Sequence, residues 1–266
     1  MTNKLKLGTL ISFALMGSAW AAPIVYAVSD SQQFGTFDLG TGAFSQIGST
    51  PDLLYGIVYT SAGLQGLTAD GRLVNINSSN GALTTVGNTG LGVSTNVITG
   101  LNNNLYTLAT NGNLYTINAS TGAPTLVGST GLPTIDPNND DWNASLTSIN
   151  GSLYYTIQNL STNFGPSLYR INPGTGAAQL VGSTQGDLNA AVFAGGVYYA
   201  TSSASVFSIN AGTGAATTLS PIGAGVTPLY GLASVPEPGS LVLMGAGLAS
   251  LLVARRMSGM RSRRSS

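Results

Sequence analysis

The chain contains no cysteine and no histidine, and only 7% of its 266 residues are charged. Without cysteine there is no disulfide framework and no thiolate to act as nucleophile or metal ligand, even in an oxidising compartment. Without histidine the usual zinc ligand, the Ser-His and Cys-His nucleophile pairs and the commonest general base are all missing. So few charges also leave little material for long amphipathic helices, whose solvent faces are normally charged. Glycine, by contrast, occupies 36 positions. That suits many tight turns between short strands and favours an all-β domain.

The formal net charge of zero hides a segregation. Lys4 and Lys6 stand near one end, and Arg255, Arg256, Arg261, Arg263 and Arg264 near the other. Between them only Arg72 and Arg170 face Asp30, Asp38, Asp52, Asp70, Asp136, Asp140, Asp141, Asp187 and Glu237, so the stretch from Ala22 to Pro238 carries −7. Phosphate binding needs a basic surface, so no nucleic-acid partner is expected.

Lys4 and Lys6 precede the apolar run Leu7 to Trp20, and the small residues Ala19 and Ala21 stand just before Ala22. This is the pattern of a secretory signal over residues 1–21, cut before Ala22, and it implies a translocase and a signal peptidase as partners. An uncleaved anchor is the alternative, which the short apolar run fits less well.

At the other end, Val235-Pro236-Glu237-Pro238-Gly239-Ser240 leads into the apolar stretch Leu241 to Ala254, which is closed by Arg255-Arg256 and a basic tail over 255–266. Prolines around Glu237 keep that region extended, and the positive-inside rule holds the arginines on the cytoplasmic side. The order of motif, hydrophobic helix and positive cluster resembles the PEP-CTERM sorting signal of Gram-negative bacteria. The resemblance implies an exported protein paused in the inner membrane until an exosortase removes the tail, with Pro236, Glu237, Pro238, Arg255 and Arg256 carrying the signal. Membrane association is then transient, and the end state is the cell surface or extracellular matrix. A permanent single-pass anchor is the alternative.

The middle repeats. A hydrophobic strand runs into Asn or Asp, then spacers, usually Thr, then Gly, with copies centred on Gly42, Gly81, Gly122, Gly176 and Gly214 at spacings of 39, 41, 54 and 38 residues. Asp38, Asn77, Asn118, Asn172 or Asn210 stands four residues before each glycine, and Ile47, Val86, Val127, Val181 or Leu219 five after it. The Asx side chain folds onto the following backbone, and the glycine takes the left-handed conformation that closes the hairpin. Strands such as Leu114 to Ile117 and Leu168 to Ile171 place Tyr and Ile on one face, the pattern of a strand with one better-buried side, so the tyrosines are expected mostly in the core.

Further strands are expected upstream of the hairpins, at Leu54 to Val58 with Leu64 to Ala69, Val97 to Gly100 with Leu105 to Ala109, and Ala190 to Phe193 with Val197 to Thr201. Roughly four strands per repeat of about forty residues is the size of a propeller blade. The expected fold over 22–234 is therefore an all-β propeller of about five four-stranded blades, followed by a C-terminal hydrophobic helix. The first hairpin lacks an innermost strand, and Leu229-Tyr230-Gly231-Leu232 matches Leu54-Tyr55-Gly56-Ile57. The C-terminal segment is thus expected to complete the first blade by strand exchange. An open solenoid or sandwich is the rival.

The long fourth repeat contains Asp136, Asn138, Asp140, Asp141 and Trp142. Clustered carboxylates and amides can hold calcium, but the spacing is not that of an EF-hand, and a solvated turn is the default; no other cofactor is expected. Trp142 can stack on a sugar or plug a blade junction. A glycosidase would draw one carboxylate from this segment, with Asp70 or Asp187 as partner, yet nothing fixes their separation and the repeats hold no Glu. The expectation is a non-enzymatic exported protein meeting exopolysaccharide or other envelope components through its loops. A secreted hydrolase and a purely structural envelope protein are the alternatives.

Overall fold

In a computed structural model, which describes residues 22–91, 97–134, 142–159, 164–226 and 228–235, the chain forms five four-stranded antiparallel sheets. The strands are β1 (Ile24–Ser29), β2 (Gln33–Asp38) and β3 (Phe44–Ser49); β4 (Leu54–Thr60), β5 (Gly63–Thr68), β6 (Arg72–Ile76) and β7 (Leu83–Asn88); β8 (Ile98–Leu101), β9 (Asn104–Leu108), β10 (Asn113–Ile117) and β11 (Pro124–Ser129). They continue with β12 (Trp142–Ile149), β13 (Ser152–Asn159), β14 (Phe164–Ile171) and β15 (Ala178–Ser183); β16 (Ala190–Ala194), β17 (Val197–Thr201), β18 (Ser205–Ile209) and β19 (Ala216–Pro221); and finally β20 (Leu229–Ser234). Each consecutive set of four is one blade, except that β20 pairs with β1 and becomes the innermost strand of the first blade.

The innermost strands β20, β4, β8, β12 and β16 each touch the next, and β16 returns to β20, so the ring is closed. Five hydrophobic clusters lie between successive blades. The expected one-sided burial of the strands is therefore corrected. In β14, Leu168 is fully buried against the fifth blade and Ile171, on the opposite face, against the third. Each such side chain contributes roughly 1.5–3 kcal/mol of burial. Most tyrosines belong to the core or pack against it, Tyr26, Tyr154 and Tyr169 as partly buried side chains. Tyr106, Tyr155, Tyr198 and Tyr199 are buried, all on the second strand of a blade, whereas Tyr115 and Tyr169 lie farther out and are half-buried.

The five repeat turns are alike. In each, the amide of Gly42, Gly81, Gly122, Gly176 or Gly214 donates to the carbonyl of the Asx residue four positions earlier at 2.8 Å, with the glycine at φ between 70° and 81°. The Asx side chain caps the turn: Asp38 Oδ1 accepts from the Gly40 amide at 2.8 Å, and Asn172 Oδ1 from the Gly174 amide at 2.8 Å. The residue five after each glycine is the extra residue of a β-bulge in the outermost strand, as register shifts at Ile47, Val86, Val127, Val181 and Leu219 show. A bulge twists an otherwise open sheet edge away from pairing with another chain.

The long repeat is explained in part by its strands. β12, β13 and β14 are eight residues each, so part of the inserted length continues the blade instead of forming a loop, and Trp142 is the first residue of β12.

Candidate functional site

The inner strands run in one direction around the axis, giving an upper face where they begin and a lower face where they end. Midway along the axis, Ile57, Ile98, Leu146, Ala191 and Leu232, one from each blade, line both axial cavities and close the channel between them. All five are at least 92% buried. The upper mouth is a hollow of about 20 Å³ and the lower about 90 Å³. The upper hollow holds about one water and the lower a few, well short of the several hundred Å³ that enclose a small organic ligand. A ligand at either mouth is therefore met by surface contact.

Two features of the Leu-Tyr-Gly sequence build the upper mouth. Gly56 and Gly231 let adjacent inner strands approach: a Cβ at Gly231 would stand 2.9 Å from the Ile57 amide nitrogen, and one at Gly56 3.0 Å from that of Ile98. The preceding tyrosines then lie side by side at the rim, with the Tyr55 and Tyr230 rings 5.6 Å apart and inclined at 41°. Both are half-buried. Partial burial, then the Asp30 carboxylate, then Tyr55 raise the pKa of the Tyr230 hydroxyl, which keeps it a neutral donor. Asn189 and Ser145 belong to the same lining, but both are buried, the Ser145 hydroxyl bonded to Thr156 at 2.6 Å.

Beside this mouth Asp187 ties blade four to blade five. Its amide donates to Gln158 Oε1 at 2.7 Å, its Oδ1 accepts from Asn143 Nδ2 at 3.2 Å, and its Oδ2 accepts from the Ser203 amide at 3.2 Å and from the Ser203 hydroxyl. Its carbonyl accepts from Asn189 Nδ2 at 3.2 Å. These bonds hold Asp187 in the left-handed region at φ 62°. On blade two, Arg72 bridges Asp70 at 2.8 Å and Asp52 at 3.1 Å. The Thr68 hydroxyl, then Arg72, hold the Asp70 carboxyl below its ordinary pKa, the direction opposite to that of a general acid. Asp70 and Asp187 are thus brought to one face, each engaged by its own neighbours. Asp38 lies on the lower face as a turn cap.

Asp136, Asn138, Asp140 and Asp141 lie outside the described residues, as do Ala19, Ala21, Pro236, Glu237, Pro238, Arg255, Arg256 and the apolar stretch 241–254. Trp142 is placed at the upper end of β12, and the stacking role expected of it falls outside what is described. Ala22 packs beside Gly40 on the lower face. Among the described residues no three acidic side chains converge as a metal site would require. The Tyr55–Tyr230 pair was not foreseen as a site. Its sequence signal is the matched pair of Leu-Tyr-Gly segments, which also marks the ring closure.

Residues 234–256 match the PEP-CTERM protein-sorting motif. The motif implies an exported protein, processed by an exosortase and anchored in the membrane before cleavage. Among curated proteins none matches the chain. A protein of unknown function from Bacteroides thetaiotaomicron is similar in fold, with 17% identity and a TM-score of 0.53 over 73% of this chain and 54% of that one. Also similar are a chain of a nidogen/laminin complex, at 12% identity and a TM-score of 0.48 over 79% of this chain and 97% of that one, and a glutaminyl cyclase from Myxococcus xanthus, at 21% identity and a TM-score of 0.44 over 75% and 77%.

Proposed function

From a chain that carries a PEP-CTERM sorting motif behind a five-bladed propeller, we propose a non-enzymatic surface or matrix protein that binds exopolysaccharide on its upper face. In this reading residues 1–21 direct export and are removed before Ala22, and the tail is cut near Glu237 once the ring has folded. The observation that carries the binding reading is the Tyr55–Tyr230 pair at the rim of the upper mouth, whose hydroxyls supply the neutral polar groups there. Paired aromatic faces with neutral donors and acceptors suit the apolar faces and hydroxyls of a sugar. The hollow is too shallow to enclose a small molecule, so the ligand is a chain laid across the face. A hydrolase has less support, because the two carboxyls brought close among the described residues, Asp52 and Asp70, are both ion-paired to the Arg72 guanidinium, whereas glycosidic chemistry requires one of its pair as a neutral acid.

The test is a calorimetric titration of residues 22–235 with the producing organism's own exopolysaccharide, with and without calcium and chelator. Saturable binding is expected, weakened at least roughly tenfold in Tyr55→Ala/Tyr230→Ala, as for loss of two central aromatic contacts. Chelator sensitivity would point to Asp136, Asn138, Asp140 and Asp141. Absence of binding in every condition leaves a structural envelope protein. Polymer turnover that disappears in Asp140→Asn/Asp141→Asn would establish the hydrolase.

A further inference from the structure

The two faces of the ring differ in charge and in exposed apolar surface. Asp30, Asp52, Asp70 and Asp187, opposed by Arg72, belong to the upper face. The lower half has one charge of each sign among the described residues, Asp38 and Arg170. Ile47, Leu126, Leu180 and Leu219 are exposed on the outermost strands, around the outer rim, but between the two faces the exposed apolar side chains follow the opposite distribution. Ile24 (54% exposed), Tyr59 (40%) and Val197 (36%) all stand at lower ends of strands, with Phe193 half-buried at the same rim, and no large hydrophobic is exposed on the described upper loops. Both described chain ends also lie below: Ala22 beside Gly40, and Ser234 in the lining of the lower mouth.

We propose that this lower face is a membrane-contact surface, through which the ring sits on the bilayer while the tail is still attached. The proposal rests on insertion of the apolar stretch 241–254. Only Pro236 to Ser240 separate Val235 from that stretch, and five extended residues reach less than about 20 Å. Inner strands of about six residues make the ring roughly 20 Å thick, and four strands 4.8 Å apart give each blade a further ~15 Å of radial width. To turn the upper face to the bilayer, the tether would have to cross a blade and climb the rim, a path of about 35 Å that it cannot span. Ile24, Tyr59 and Val197 then decide between a flat and a tilted ring, since apolar and aromatic side chains partition into the headgroup boundary. Anionic lipid headgroups repel the upper aspartates and reinforce the same orientation. The proposed glycan face is thereby presented outward before any tail cleavage.

The native absence of cysteine permits a direct test with the full chain in vesicles of phosphatidylethanolamine and phosphatidylglycerol. A fluorophore is placed at Ala62→Cys on the lower face or Ala204→Cys on the upper, both exposed positions, and quenched by headgroup spin labels. The expected result is quenching about threefold or more stronger at position 62, from the ~20 Å difference in height, and a smaller difference in Ile24→Ser/Tyr59→Ser/Val197→Ser. Equal quenching at both positions, or a difference unchanged in the triple variant, overturns the contact surface. Failure of the full chain to float with the vesicles overturns the insertion on which it depends, and is read separately by flotation.

Discussion

Single glycines join neighbouring blades. A Cβ at Gly122 would stand 2.9 Å from the Gly87 carbonyl carbon, at Gly176 2.7 Å from the Gly128 carbonyl oxygen, and at Gly42 1.9 Å from the Pro221 carbonyl oxygen. Gly131 has almost the same backbone, φ 73° against 74° for Gly122, but nothing within 4 Å of its Cβ position. Gly131→Ala is therefore expected to cost about 1–2 kcal/mol from the left-handed conformation alone. Gly122→Ala adds about 1–3 kcal/mol of overpacking, and the difference between their denaturant midpoints measures the blade contact. The Asn-to-Gly spacing made these turns legible in the sequence. Their second role was hidden, because the partner glycines 48, 87, 128 and 182 become meaningful only when one blade is laid against the next. Tyrosines give a second residue-scale prediction. Burial raises the pKa of Tyr155 and Tyr198 above the ordinary value of 10.0. The unfolded chain then ionises first, so their contribution is intact below about pH 10 and falls above it by about 1.4 kcal/mol per pH unit per tyrosine. Among the described residues the Tyr198 hydroxyl has no partner of hydrogen-bond geometry; neighbouring Ser145 is bonded at 2.6 Å to Thr156. Tyr198→Phe should leave neutral stability within about 1 kcal/mol and flatten the alkaline limb of a melting-temperature profile. An unchanged slope would show that another tyrosine carries it.

Outermost strands follow one sequence of parts: the bulged Ile, Val or Leu twists the edge, the following small residue admits the next blade's turn, and two positions farther on stands Thr50, Thr89, Thr130 or Thr184 in four blades and Ile222 in the fifth. Thr130 is buried, donates to the Gly112 carbonyl at 2.6 Å and accepts from the Leu132 amide at 3.1 Å. Thr89 repeats the bond to Gly71 at 2.8 Å. Thr184, in the same position of blade four, has a buried hydroxyl with no partner among the described residues. Thr130→Val should therefore cost about 0.5–1.5 kcal/mol by removing two hydroxyl bonds, the Gly112 carbonyl keeping the Thr130 amide at 2.9 Å, whereas Thr184→Val should be neutral or stabilising. Urea denaturation of the two variants decides it, and equal losses would mean that the hydroxyl bonds are not what fastens the strands. Strand positions were well legible at this scale because the turn residues punctuate them. Burial was not, because a period of two normally marks one covered face, and a blade is covered on both. The length of β12 to β14 was hidden for a related reason: Asn143, Gln158 and Asn159 read as loop residues by composition, yet antiparallel pairing from Trp142↔Asn159 to Ile149↔Ser152 carries the strands through them.

Ring closure is the property of the whole molecule that no single repeat contains. The strand exchange was legible because Leu229 to Leu232 repeats the inner strand of blade two at the chain's far end, where only blade one lacked a partner. The seam also differs locally from the other four junctions. Ser220 replaces the small glycine, and the Gly223 amide donates to the Gly42 carbonyl at 2.9 Å. Closure depends on burying Leu229, Leu232 and Ala233 and on pairing β1, whose inner edge would otherwise be open. Removing β20 also opens two inter-blade clusters at once, since Leu229 and Leu232 pack with the fifth blade and Ala233 with the second. Each buried leucine lost costs about 2–5 kcal/mol, which together reaches the whole stability of an ordinary domain. A chain ending at Val235 should melt cooperatively at the temperature of the full chain, because it keeps the whole of β20, which closes the ring and ends at Ser234. A chain ending at Pro228 should lose the cooperative transition, expose β1 and become sensitive to protease throughout. Calorimetry of both truncations, with limited proteolysis, checks this. If the shorter chain retained a single sharp transition, the four complete blades would form a stable open arc, and the strand exchange would only cap a fold that stands without it.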